Sequence, residues 1–599
     1  MKKLFKSPIT WGIIAALLVA VPQITYYDFI ATDQVHVGVL EGVVNYPGLS
    51  PFSLYRIADG KGEQVAKLVS DGPLPWYTNP NYKLYFCRHL PSLLITLTHK
   101  ICGMNPTGYY IHNLLWYVLL VILVGLLVRR IVPDTGSSFA HPAAYLTVIF
   151  FAFSTIHLEV IFYSSARWTF VAAAFGLAGL LAHIKWREQN WKPGRLLSLI
   201  AFLLALFTGE AALAALAYLL AYELFGTGGP LKKKINALLP AAILVFIYLI
   251  FYAAMGYGAG GSDYYHNPLT DPITYFVNLP VKLAAILGDM FVGTLSLFWL
   301  DLTAPFQRLL IYGIAALTLI ICGLLLYPVW KEAHAEQRRG IKWLIIGSIA
   351  SMFPLASAFP GGRVVIIPFI GGSIVLAFIV HYWWKRLRKN LKSPLAWIGG
   401  LVCIGIFFLH CLLSSYFWFA GSRMLQAYLK GQKDFNKEKV LNEILPHQKA
   451  VFLSSDFEST LFFHYFYRKI HRLPMPASWW ELSFSNHKHR YLRTAENKLE
   501  LEITGEKVWE FFDGWGMRSR KPSLKKGDLI ELSPELQVRI LETERKVPTR
   551  MEFIFDHSLD DDRYRFFGIK DNRPYCLPPP PVGQSFKLKV NKPIKITDY

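Results

Sequence analysis

Eight residues of this 599-residue chain combine types and spacings that can do chemistry. The stretch YYDFIATDQVHVG carries Asp28, Asp33 and His36. A carboxylate can accept the proton of an attacking hydroxyl, which makes Asp33 the first candidate for a general base and Asp28 its competitor. His36 lies one helical turn from Asp33 if the stretch is helical, close enough to orient it. The stretch IHLEVIFYSSARW carries His157, Glu159 and Arg167, FTGEA carries Glu210, and FPGGR carries Arg363. A guanidinium fork matches phosphate oxygens bidentately, so Arg167 and Arg363 are candidates for holding a developing anion. Glu159 and Glu210 can bind hydroxyls or hold those arginines in place. Each residue also has a plainer reading. Asp28 can mark a helix end, His157 can be a core hydrogen-bonder, Glu159–Arg167 can brace a turn, Glu210 can bridge helices, and Arg363 can reach lipid headgroups.

The elements that must position these residues are membrane spans. The chain is 53% hydrophobic, 15% aromatic and of positive mean hydropathy, too apolar for a soluble protein of this length. Its net charge of +21 is split between a separate C-terminal region and clusters between apolar runs: Arg129–Arg130, Lys185/Arg187/Lys192/Arg195, Lys232–Lys234, Lys331/Arg338/Arg339/Lys342 and Lys385–Lys392. Positive charge in short loops sets the cytoplasmic side, so the charge is topogenic and nucleic acid is excluded as a partner. Membrane lipids are the expected surroundings. The start MKKLFKSP followed by the apolar run 9–27 reads as an uncleaved signal anchor, with the N-terminus cytoplasmic.

At roughly 20 apolar residues per span, about eleven spans fit within residues 1–420. A long outer segment, 28–105, follows the first and includes a helical stretch near 88–103 that can lie along the membrane surface. Two short crossings must share 196–226. Residues 278–303, with Lys282, Asp289 and Asp301, read as an outer surface helix or re-entrant segment. Spans 342–358 and 364–384 flank the turn AFPGGR. By this count the eight candidate residues fall on the outer side, and so does a soluble α/β, mostly β-rich domain, 421–599. Its runs KLELEI, LQVRILE and MEFIF alternate as strands do. The six cysteines show no CxxC pair and no metal-ligand spacing. Cys87 and Cys102 share the outer segment and are either a disulfide or two buried thiols.

These stretches resemble the GT-C superfamily of polyprenyl-phosphate-dependent glycosyltransferases, over roughly residues 9–385. The local match is to the O-mannosyltransferase-like branch. IHLEVIFYSSARW is similar to its His-x-Glu…Arg turn, FLLALFTGEAALAALAYLLAYELF to its Lys-Glu helix pair, and SMFPLASAFPGGR to its late Pro…Arg turn. WYTNPNYKLYFCRHL, with Asn79, Lys83 and Arg88, is similar to the loop leading into its surface helix. The resemblance implies a polytopic GT-C-like fold and a polyprenyl-phosphate sugar as donor. It implies a glycan or protein acceptor and inverting, carboxylate-assisted transfer at the outer face of a bacterial inner membrane. It identifies no sugar and leaves any divalent metal open.

The chain departs from the family at three places. Gln34 stands where a second acid often follows the first, Trp168 and Thr169 follow Arg167 where an acid is usual, and Gly209 replaces the Lys before Glu210. These departures support an alternative, a non-catalytic protein of the same scaffold that transports lipid-linked glycans or assembles the cell envelope.

Overall fold

The computed structural model describes residues 6–132, 141–293, 305–359, 361–455, 461–483, 488–504, 517–519, 523–544 and 547–588. The chain divides into two compact units, one of residues 1–27, 87–257 and 267–423, the other of 28–86, 258–266 and 424–599.

The first unit is helical. Among the described residues eight helices are long and apolar enough to cross a membrane, and nine if the bent pair Pro142–Phe153 and Thr155–Ile161 is one span. The chain is therefore a multi-pass membrane protein. Within 196–226 the chain forms Pro193–Leu206 and Ala212–Gly226, apolar but short, because Thr208-Gly209-Glu210 interrupts them. The expected crossing 342–358 lies in Ala335–Leu355, whose first turns carry Glu336, Arg338, Arg339 and Lys342. Conversely, the segment read as a surface helix forms Pro272–Val292, which has the length and apolarity of a span. Its Lys282 and Asp289 are buried within the unit, which hides their charge from the apolar face. Residues 294–303 of that segment, Asp301 included, lie outside the described residues.

Burial separates core helices from peripheral ones. Gly362–Lys389 is apolar all round and 94% of its apolar window is buried, whereas only 17% is buried in Pro305–Glu332. The central helix contains Pro368, which removes one backbone donor and disturbs the local ladder. One turn on, Tyr218 accepts from the Gly371 N–H (3.0 Å) and shares its proton between the carbonyls of Pro368 (3.0 Å) and Ile367 (3.1 Å). Ser348 adds a bond to the Pro368 carbonyl at 2.6 Å. The helix His89–Cys102 leaves Leu93, Leu97 and Ile101 exposed along one face while Ile95 and Thr98 are buried, the pattern of a surface-lying amphipathic helix.

The second unit holds the strands β1 Arg56–Asp59, β2 Lys83–Tyr85, β3 Gly258–Gly260, β4 Lys449–Phe452, β5 Ser478–Glu481, β6 Lys488–Ala495, β7 Lys498–Thr504, β8 Leu529–Ser533, β9 Leu536–Glu544, β10 Val547–Phe555, β11 Tyr564–Lys570, β12 Arg573–Cys576 and β13 Ser585–Leu588. They form a three-stranded sheet β1-β2-β3, a six-stranded sheet β13-β6-β7-β10-β9-β8 and a four-stranded sheet β12-β11-β4-β5. In the last, β4 pairs parallel with both β5 and β11, and the helix Leu461–Ile470 lies between β4 and β5 in sequence. The alternation of KLELEI is realised in β7, where Leu499, Leu501 and Ile503 are buried and Glu500 pairs with Arg550 at 2.5 Å. One core joins residues far apart in sequence: Val35, Val65, Leu68 and Trp76 pack with Phe466, Trp480, Leu501 and Phe553. Two indoles tie it reciprocally. Trp76 Nε1 donates to the Leu482 carbonyl (3.0 Å) and Trp480 Nε1 to the Ser70 carbonyl (2.9 Å).

The helix Gly62–Asp71 ends at Gly72, which has φ +101°, and a Cβ there would overlap the Trp479 carbonyl. Gly42 also has positive φ (+71°) but has nothing within 4 Å of its Cβ position. Gly42→Ala should therefore cost only the backbone strain, about 1 kcal/mol. Gly72→Ala should cost about 3 kcal/mol or more, because the helix end must also move off β5. Thermal melts of the two variants in detergent check this difference.

Candidate functional site

In the first unit the turn after the bent helix pair is built around Arg167, which has no exposed surface. Its Nε donates to Asn113 Oδ1 (2.6 Å), one terminal nitrogen to Thr98 Oγ1 (3.1 Å) and His112 Nδ1 (3.0 Å), and the other to the Tyr109 carbonyl (3.2 Å). Three separated segments thus spend this guanidinium on one another. His157 is equally enclosed, its Nε2 against the Phe151 carbonyl at 2.8 Å and its ring among Tyr117, Phe151 and Phe170. That is the environment of a core histidine.

Glu159 does not pair with Arg167. Its carboxylate meets Arg363, 3.3 Å from the guanidinium, and accepts from the Arg363 backbone N–H at 3.4 Å. Both side chains remain partly open, 38% for Glu159 and 24% for Arg363. The structure thus brings together two turns 204 residues apart. Pro360 of the second turn lies outside the described residues.

Glu210 belongs to a third group. Tyr252 donates its hydroxyl proton to Glu210 Oε1 at 2.5 Å. Beside it, the Arg88 guanidinium lies over the Trp168 indole, 3.9 Å from the ring centre, and its side chain covers Gly209 closely enough that a Cβ would meet Arg88 Cγ at 3.3 Å. His89 Nε2 and the Tyr257 hydroxyl are 2.7 Å apart. Two of the departures noted in the sequence, Trp168 and Gly209, therefore both lie against Arg88. Sequence reasoning read Arg88 only as part of a loop and missed Tyr252 and Tyr257. The available signal was the tyrosine-rich end of an otherwise aliphatic helix, Leu231–Ala254.

In the second unit Asp33 and His36 lie on the helix Thr32–Leu40, Asp33 in its first turn, where the helix dipole favours a carboxylate. Asp33 is 2% exposed and His36 is buried with its ring edge-on to Tyr55. Asp28 is exposed, its Oδ1 accepting from the Phe29 N–H at 2.7 Å, and it faces Tyr467 and His471. Ala31, just before the helix, has φ +48° and ψ −122°, a conformation that favours glycine. Gln34 and Gln432, which meet at 2.8 Å, were not foreseen as a pair, being 398 residues apart.

No group of His, Cys, Asp and Glu suited to a metal ion occurs among the described residues. All six cysteines are free, Cys87 and Cys102 included. Burial, helped by the nearby Glu210 carboxylate, pushes the Cys87 thiol up to about 12.

No family model matches the chain. No curated protein matches it. Solved structures do. The chain is similar to the crystal structure of ArnT from Cupriavidus metallidurans bound to undecaprenyl phosphate, at 12% identity over 75% of this chain and 89% of that one, with a TM-score of 0.34. It is similar to the same ArnT in the apo state at 12% identity over 72% and 84%, with a TM-score of 0.35. Neither is described as an O-mannosyltransferase, the branch that the turns resemble.

Two expectations follow. At pH 8, a maleimide should label exposed Cys576 and leave Cys87 unlabelled unless the protein is unfolded, as mass spectrometry of peptides would show. His464, fully enclosed, is pulled down to about 3 by burial and by Arg468. The unfolded chain therefore binds this proton below its ordinary value near 6.5, and stability falls as pH drops from about 6.5 towards 3. At pH 5 the His464 share of that loss is about 2 kcal/mol. His464→Gln should flatten the acid side of the stability curve by that amount in denaturant titrations.

Proposed function

We propose that this chain is an integral-membrane glycosyltransferase of the GT-C kind, transferring a sugar from a polyprenyl-phosphate donor to a glycan or protein acceptor. Transfer takes place on the extracytoplasmic face of a bacterial inner membrane, with the N-terminus cytoplasmic and residues 421–599 outside. The observation that carries this reading is the sorting of the two candidate arginines. Arg167 has no surface left for a ligand, while Arg363 keeps 24% of its side chain open beside Glu159. A phosphate can add to Arg363 without dismantling the fold.

The reaction is an inverting displacement. The acceptor hydroxyl attacks the anomeric carbon, Asp33 takes its proton, and the lipid phosphate departs with the bonding electrons of the broken C–O bond. Arg363 neutralises the charge that grows on the leaving phosphate, and Glu159 keeps the guanidinium oriented when no phosphate is present. Glu210, held by Tyr252, is a candidate for sugar hydroxyls. Asp28, exposed near His471 and Tyr467, is the weaker candidate base.

Purified protein in detergent, given a panel of radiolabelled undecaprenyl-phosphate sugars, tests this directly. Asp33→Asn should lower turnover about a hundredfold or more while insertion and yield are kept. Arg363→Ala should weaken donor binding about tenfold and leave acceptor binding alone. Unchanged turnover in Asp33→Asn would remove it from the reaction. Tight lipid binding without release from any donor would favour the non-catalytic transporter or assembly factor.

A further inference from the structure

The turn that leads into Asp33 is bridged by the side chain of Gln34. Gln34 is 1% exposed, and its Nε2 donates to the Phe29 carbonyl at 2.9 Å and to Gln432 Oε1 at 2.8 Å. A peptide carbonyl can only accept, so the Phe29 bond fixes which amide atom of Gln34 is nitrogen. Gln432 must then offer its oxygen. The Phe29 bond closes a loop over Ala31, the residue with φ +48°. Residues in such conformations persist only where their surroundings hold them. Within the loop the Asp33 N–H donates to the Ile30 carbonyl (2.9 Å) and the Gln34 N–H to the Ala31 carbonyl (3.1 Å).

Gln432 is itself anchored. It is 2% exposed, on the helix Ser414–Lys437, and its carbonyl accepts from Asn436 Nδ2 at 2.8 Å. Asn436 Nδ2 also lies 2.7 Å from His464 Nδ1, and the Asn436 carbonyl accepts from buried Arg468 at 3.2 Å. The helix Leu461–Ile470 that carries His464 and Arg468 also meets Thr32–Leu40 at Gly38, where a Cβ would lie 3.1 Å from Ile470 Cγ2. A strained turn near the N-terminus is thus tied to a buried polar network in the C-terminal segment.

We propose that Gln34 and Gln432 are positioning residues for Asp33, and that position 34 requires a donor, not a second acid. The proposal rests on Asp33 being the base. A glutamate at 34 keeps the shape but turns an oxygen towards the Phe29 carbonyl. Gln432 can rotate its amide to meet that oxygen, whereas the Phe29 carbonyl has no such freedom. Gln432→Glu is the matched control, because it places a carboxyl in the same buried bridge but preserves the acceptor that Gln34 needs. The two variants share the burial penalty and differ in the sense of the hydrogen bond.

The full chain in detergent carries two readouts, hydrogen exchange of peptides covering 28–40 and transfer from the labelled undecaprenyl-phosphate sugars. In Gln34→Glu, exchange across 29–34 should rise and kcat should fall, each about tenfold or more, with donor KM unchanged. The exchange of 449–504 should not move. Gln432→Glu should stay much closer to wild type on both readouts. Wild-type transfer with Gln34→Glu equally active or faster overturns the positioning role, and marks position 34 as an acid that was lost. Equal losses in the two glutamate variants overturn it too, since burial alone would explain them. Wild-type protein silent on every donor overturns the base itself, and the positioning claim falls with it.

Discussion

A guanidinium with no exposed surface must have its donors met by protein, because the cost of leaving a buried charge unpaired exceeds what most single contacts return. Arg167 meets that demand with Thr98, Tyr109, His112 and Asn113. Its placement locks the turn between the bent helix pair and Trp168–Gln189. Trp168, the next residue, can then serve as a floor for Arg88, and Arg88 in turn covers the bare backbone at Gly209 beside Glu210. On the other side of the same turn, Glu159 is left free to meet Arg363. The residue types that invite a chemical reading are thereby split. In this unit Arg167 and His157 are wholly buried, whereas Glu159 and Arg363 keep part of their side chains open.

The second unit follows a different logic. Residues 28–86 share their core with residues from 451 to 566. The reciprocal indole bonds of Trp76 and Trp480 give that joint a register, which apolar packing alone does not supply. Asp33 sits on an element docked in this way. Its surroundings are set by the C-terminal segment as much as by the residues next to it in sequence.

This changes the meaning of the sequence positions where a charged residue was expected. Gln34 looks like a missing acid when only its neighbours are read. In the fold it is an amide donor between two acceptors, one of them a backbone carbonyl. Gly209 looks like a missing cation, yet the space above it is filled by Arg88. Neither contact is legible from the neighbours along the chain, because Gln432 and Arg88 each lie more than a hundred positions from the residue they meet.

The sequence by itself determined the class of protein. Apolar run length, clustered Lys and Arg, and strand alternation are local consequences of solvent, and they placed the helical part, the β-rich part and strands such as β7. Hydropathy does not say where a short polar turn such as Thr208-Gly209-Glu210 interrupts a helix or whether Lys282 faces inward. Only the tertiary structure decided which of the candidate groups are spent. Arg167 and Arg363 are the same residue type in similar apolar contexts, and what separates them is burial, Arg167 having no exposed surface and Arg363 keeping 24% of its side chain open. That burial depends on which distant segments pack together, and no local pattern of residues records it.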